Sequence, residues 1–252
     1  MTVSKRIGQN VKLVKQAVVL LKNTNRIRKG NRYKFRPNKK FRRETALSHK
    51  EIAFLGSSVT YGAVSRGQSF VEYLREEYGV NTHKSAKSGT TLSGNVASRY
   101  GKSYVMRLRD DFKDVKHLDA FVCQLSTNDG RFDRHLGEII ESKHIQDFDV
   151  ETTIGAIEYI IAYIYNRWDC KLIFCTCLRQ SDPYYEYLIE TLYRLSDKWG
   201  FDIIDIKHHK RANKMAKKDK TMMADDAHPT FKGYRYIYTP IFVKYLLKYF
   251  DQ

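Results

Sequence analysis

Four short polar clusters, far apart along the chain, carry side chains that could together cleave an ester. The first is Gly56-Ser57-Ser58-Val59-Thr60-Tyr61-Gly62, which follows the apolar run Ile52 to Leu55. A hydroxyl on a sharp turn at the carboxyl end of a strand sits where α/β sheets place their ligands. A serine alone is a weak nucleophile: it needs a base for its proton, a group to orient that base, and donors for the oxyanion. Asp225-Asp226-Ala227-His228 supplies an acid and a base three residues apart. Ser126-Thr127-Asn128-Asp129 follows the apolar run Phe121 to Leu125, and Ser88-Gly89-Thr90-Thr91 follows a third candidate strand. Four polar clusters at four strand ends would make one site.

Their order resembles that of the SGNH (GDSL-like) hydrolases, whose name gives the serine, glycine, asparagine and histidine of four separated blocks. Ser58 matches the nucleophile, Gly89 the glycine and Asn128 the asparagine, while Asp225 and His228 match the Asp-x-x-His pair. The resemblance runs from about residue 50 to the end, including Gly233-Tyr234 after the histidine block. It implies an oxyanion hole built from the Ser58 and Gly89 amides and the Asn128 side chain, and an acyl-serine intermediate without a cofactor. It also implies a range of activities, from lipases and thioesterases to carbohydrate esterases and acyltransferases. The absence of an exposed apolar lid tilts the reading towards a small acyl group on a polar or carbohydrate substrate. Two positions depart from the pattern: Ser57 stands where an aspartate is usual, and Ser126 where a glycine is usual. Neither moves the proton, so altered local hydrogen bonding is expected, although Ser126 could crowd the floor of the oxyanion hole. A non-catalytic scaffold, decayed at these two positions, is the competing reading.

Elements that would position these groups alternate. Strands are expected over Ile52 to Leu55, Val80 to Ala86, Ala120 to Leu125, Lys171 to Cys177 and Phe201 to Ile206. Helices are expected over Ser69 to Tyr78, Ser98 to Phe112, Thr152 to Trp168, Tyr184 to Trp199 and Phe231 to Phe250. That alternation indicates parallel crossovers and a three-layer αβα sandwich, with a mostly parallel sheet of about five strands of the flavodoxin-like kind. Tyr61, in the nucleophile turn, and Arg131, in the polar loop Asp129 to His135, are the substrate contacts to consider. His135 and His144 suit a surface loop or the mouth of the site, and His208-His209 a wet basic surface. Cysteine and histidine spacing fits no zinc site, and Cys175 and Cys177 read as buried filler facing one side of a strand. Four cysteines without a pairing pattern suit a reducing compartment.

Charge divides the chain. Up to Thr45 there are 15 Lys and Arg against one acid, Glu44, whereas the remaining residues carry 30 against 27. Residues 1–49 are therefore read as a basic extension and 50–252 as the hydrolase domain. Ile7, Val11, Val14, Val18 and Leu21 line one helical face. Asn23 to Arg43 is expected to be solvated and partly extended. The arm could pack on its own domain or a second subunit, lie on an anionic membrane, or meet another polyanion, with nucleic acid the weakest fit. Its apolar core is too short for a secretory signal, and no segment is long enough to span a bilayer. A cytoplasmic location, peripheral on the inner membrane face in the second case, follows. Removing residues 1–45 is expected to leave ester turnover largely intact.

Overall fold

Five strands form one parallel sheet in the order β2-β1-β3-β4-β5. They are β1 (Glu51–Gly56), β2 (Asn81–Ala86), β3 (Ala120–Gln124), β4 (Lys171–Cys175) and β5 (Asp202–Ile204). The computed structural model describes residues 23–130, 134–179 and 182–251. The amphipathic helix expected over Ile7 to Leu21 lies outside them, as does Arg131.

β1 and β3 are central, covered on both faces, which is why each reads as an unbroken apolar run rather than an alternating one. On one face Phe54 of β1 meets Phe70, which stacks on Phe242 at 4.0 Å. This joins helices α2 (Phe70–Tyr78) and α6 (Thr239–Phe250) to the sheet. On the other face Phe121 of β3 packs against Phe112 and Trp168, at the ends of α3 (Tyr104–Asp111) and α4 (Thr153–Arg167). Trp199, closing α5 (Pro183–Trp199), rests against Tyr165 of α4 on that same face. The layers are those expected of an αβα sandwich.

Local signals fix the helix ends. Ser69 and Glu72 form a capping box at the start of α2, and Gly79 ends it in the left-handed region. Asp182 caps α5 ahead of Pro183. Helix α3 begins only at Tyr104, because Ser103 caps it and Ser98 bridges to Gly101 instead of joining the helix. The C-terminal helix is also not uniform: Tyr234–Tyr238 is a π-helical turn in which the Thr239 amide donates to the Tyr234 carbonyl. Pro240 has no N–H to give to a carbonyl behind it, so the wider turn costs no bond.

Asn23 to Arg43 keeps most of its cations in solvent, as expected, but it is more ordered than an extended strap and is docked on the domain. Residues 23–30 are helical, and short 3-10 turns follow at Tyr33–Phe35 and Lys39–Phe41. Phe35 is buried, and its carbonyl accepts from the Tyr73 hydroxyl and from Arg235. The Asn31 side chain accepts from the Phe231 amide at 2.8 Å and donates to the Val64 carbonyl at 2.7 Å. Arg235 pairs with Glu77 at 2.6 Å, and Glu77 in turn accepts from the Asn38 and Arg43 amides. Uncharged Asn31 and Phe35, between the cations, carry the docking. Among the described residues no helix is long and apolar enough to cross a membrane.

Candidate active site

Ser58 begins α1 (Ser58–Tyr61), a four-residue helix closed by Gly62 at φ 87°. Ser57 occupies the N-cap position but its side chain caps nothing. The acceptor comes instead from β3: Gln124 Oε1 takes the Ser57 amide at 3.2 Å, the Thr60 amide at 3.1 Å and the Thr60 hydroxyl at 2.8 Å. Gln124 Nε2 donates back to Ser57 Oγ at 3.1 Å. An aspartate at the N-cap would offer that acceptor itself; here a neighbouring strand does so. The Ser58 amide donates to no described residue and stays available at the helix start.

His228 reaches this hydroxyl from a loop that is not at a strand end, contrary to expectation. The loop lies between a 3-10 turn at Lys220–Met222 and the Phe231 helical turn, and is held by the Met223 to Pro229 bridge and the Ala224 amide on the His228 carbonyl. Nε2 of His228 lies 2.8 Å from Ser58 Oγ, and Nδ1 lies 2.9 and 2.8 Å from the two Asp225 oxygens. Asp225 also accepts from the Ala227 and His228 amides. Burial alone would raise the pKa of this carboxyl; hydrogen bonds from the His228 ring and the Ala227 amide override that and hold it down to about 2. Asp226, its neighbour, makes no such contact with the ring.

Gly89 and Asn128 converge on the same cleft, about 520 Å³, which is also lined by Ser58, Tyr100 and His228. Gly89 sits at φ +80°, and a Cβ there would fall 2.5 Å from the Tyr100 ring. Only glycine suits that turn, and its amide donates to no described residue. The Asn128 amide nitrogen gives one bond to the Thr90 carbonyl at 2.9 Å, which leaves its second N–H to the cleft. Ser126 is fully buried and stands outside the lining of the cleft. Its hydroxyl accepts from the Asn128 amide at 3.0 Å and donates to the Thr90 carbonyl at 3.3 Å, tying the asparagine to the glycine loop.

Three further residues hold this frame, and the sequence pattern did not single them out. Gln124 is one. Asp129 is fully buried and accepts from the Leu92 and Ser93 amides and the Ser93 hydroxyl. Burial pushes its carboxyl up against those donors. Arg107 spans the ends of β1 and β2 and the glycine loop, donating to the Gly56 carbonyl at 2.8 Å, the Ser85 hydroxyl at 2.7 Å and the Thr90 hydroxyl at 3.1 Å. A buried polar side chain in an apolar run must find partners, and that rule marks Gln124 in the sequence.

Other candidates fall elsewhere. The Tyr61 ring lies over Lys84 Nζ at 5.9 Å and half in solvent, outside the lining of the cleft, where Tyr100 stands instead. Lys84, bonded to Glu72 and to the Tyr61 and Gly67 carbonyls, holds it there. His135 lines a separate hollow with Arg99 and Glu151, and His144 is exposed. His208 is bound to Asp205 and Glu186, and the Asp205 hydrogen bond raises its pKa. Cys177 lies beyond the end of β4 and, like Cys175, is buried.

No protein-family model matches the sequence, and no curated protein matches it. Solved structures do. A protein from Lactobacillus plantarum superposes with a TM-score of 0.60 at 16% identity, over 79% of this chain and 97% of its own. A candidate GDSL-like lipase from Bacteroides ovatus gives 0.55 at 17% identity, over 80% and 99%. The M. smegmatis aryl esterase, in an inhibitor-bound form, gives 0.53 at 12% identity, over 78% and 98%. At such identities the likeness is one of architecture. The superposition takes in about four fifths of this chain and nearly all of theirs: the chain has the fold of the GDSL-like (SGNH) hydrolases.

Proposed function

We propose that the protein is a serine ester hydrolase acting on a small acyl ester of a polar or carbohydrate alcohol. The observation that carries this reading is the unbroken relay of Ser58 Oγ, His228 and Asp225, with contacts of 2.8 to 2.9 Å across residues 170 apart in sequence. Ser58 attacks the ester carbonyl while His228 Nε2 takes its proton, and Asp225 stabilises the imidazolium. The Ser58 and Gly89 amides and the Asn128 side chain meet the oxyanion. Collapse of the intermediate expels the alcohol, which recovers the proton from His228. Water, deprotonated by the same nitrogen, then attacks the acyl-serine and releases the carboxylic acid. The enclosing fold, shared with an aryl esterase and a candidate lipase, is consistent with this chemistry.

The test is hydrolysis of p-nitrophenyl acetate by the purified chain beside Ser58→Ala. Ester turnover that vanishes in the variant, together with a burst of p-nitrophenol equal to enzyme and a labelled Ser58 after fluorophosphonate treatment, supports the proposal. Equal rates for the two proteins overturn it. A panel of acetylated sugars and acyl chains of rising length then ranks the substrates.

A further inference from the structure

A second hollow, about 310 Å³, opens beside the catalytic cleft and shares Arg179, Asp225 and Asp226 with it. Its other charged walls are Arg26, Lys217 and Lys220. Arg179 is held by Asp182 at 2.6 Å and Asp225 by the His228 ring, which leaves three cations, Arg26, Lys217 and Lys220, against Asp226. Neither Lys217 nor Lys220 pairs with a described carboxylate; Asp219, between them in sequence, instead holds Lys232 at 2.5 Å and the Thr221 amide and hydroxyl. Arg26 is fixed by its bond to the Ala224 carbonyl and lines the hollow from that position.

We infer that this hollow binds a phosphoryl group of the ester substrate, so that the preferred substrates of the Ser58 site are phosphorylated esters. Asp226 alone leaves two of those three cations unmatched, whereas a phosphate monoester, near −2, balances them and offers three acceptor oxygens to the guanidinium and ammonium donors. Sharing Arg179, Asp225 and Asp226 as a common wall places that phosphoryl group next to the reacting centre rather than at a remote surface. The inference rests on the hydrolase reading above.

Acetate release from 1-acetylglycerol 3-phosphate and from 1-acetylglycerol separates the two ideas. The wild type should prefer the phosphorylated ester in kcat/KM by at least about tenfold. In the surface variant Lys217→Glu/Lys220→Glu, checked for folding by its circular dichroism, the ratio should fall to near one. Equal kcat/KM values in the wild type, or a preference kept by the double variant, overturn the inference while leaving Ser58-dependent hydrolysis of p-nitrophenyl acetate as the separate measure of the parent reading. If neither ester is hydrolysed, calorimetry with inorganic phosphate decides: binding lost in the double variant sustains the phosphoryl site, and no binding overturns it. Acyl glycerol phosphate presented in phosphatidylcholine vesicles tells a lipid headgroup from a soluble phosphate ester, since only a lipid substrate is turned over faster there than its short-chain monomer.

Discussion

Replacing Gln124 by leucine keeps the size of the side chain and removes the one oxygen on which the nucleophile turn is hung. Two buried backbone amides, Ser57 and Thr60, lose their acceptor, as does the Thr60 hydroxyl. Each orphaned amide costs about 1–3 kcal/mol, so Gln124→Leu should lose about 2–6 kcal/mol. Domains of this kind have roughly 5–15 kcal/mol in all, so the variant should still fold at low temperature but with a visibly lower urea midpoint. Relaxation of the turn moves Ser58 Oγ away from His228, and a displacement of about 1 Å costs on the order of 10² in turnover. Urea unfolding followed by Trp168 and Trp199 fluorescence gives the first number, and p-nitrophenyl acetate hydrolysis gives the second. Cys123→Ala, one position earlier on β3, is the control: it leaves a cavity and lowers stability without touching the turn, so its kcat should hold. A Gln124→Leu protein that loses less than about 1 kcal/mol and keeps kcat within about twofold would refute the account of how the turn is held.

Asn128→Ala should lower kcat by about 10²–10³ with little change in KM, as read from steady-state kinetics. Gly89→Ala forces a Cβ to within 2.5 Å of the Tyr100 ring at a positive φ, and should abolish turnover even where circular dichroism shows a folded protein. Asp225, held at about 2 in the folded chain, lies below the ordinary carboxylate value of ~3.9. Its contribution to stability is therefore present above about pH 4 and fades as pH falls towards 2, damped by its solvent exposure. Asp225→Asn should flatten that acid limb in urea titrations and cut kcat by on the order of 10³–10⁴ through the wrong histidine tautomer. Asn31→Ala leaves the Phe231 amide unpaired and should cost about 1–3 kcal/mol in the same unfolding assay. Removal of residues 1–45 should accordingly lower both stability and turnover, the reverse of what composition suggests.

Regular elements were legible because their signals are local. Apolar runs in β1 and β3, the Ser69 capping box and the Asp182-Pro183 start of α5 each announce themselves within a few residues. That Ser58, Gly89, Asn128, Asp225 and His228 meet in one cleft was legible through their order, a property of the whole chain. What stayed hidden depends on distant pairs. Gln124 stands out as a polar residue closing an apolar strand, but its partners, 64 to 67 residues earlier, do not. Asp129 reads as loop polarity, although its donors sit 36 and 37 residues back. The docking of the basic strap was not legible because its cations, mostly exposed, dominate the composition, while the contacts of Arg26, Asn31, Phe35 and Asn38 with distant residues fix where it lies. In the C-terminal helix the π turn has a cue, Pro240, but periodicity alone does not say on which side of a proline the backbone will widen.

The bonds from Arg26 to Ala224 and between Asn31 and Phe231 join segments 198 and 200 residues apart. Contacts of such long span form late in folding, because much of the chain must be ordered before its two ends can meet. During synthesis the strap must wait for partners about 200 residues further on, so the histidine loop locks late. Nascent chains stalled before residue 231 would thus carry a formed sheet and an idle serine. In refolding experiments the recovery of fluorophosphonate labelling should trail the recovery of far-ultraviolet ellipticity, and simultaneous recovery would contradict this order of events.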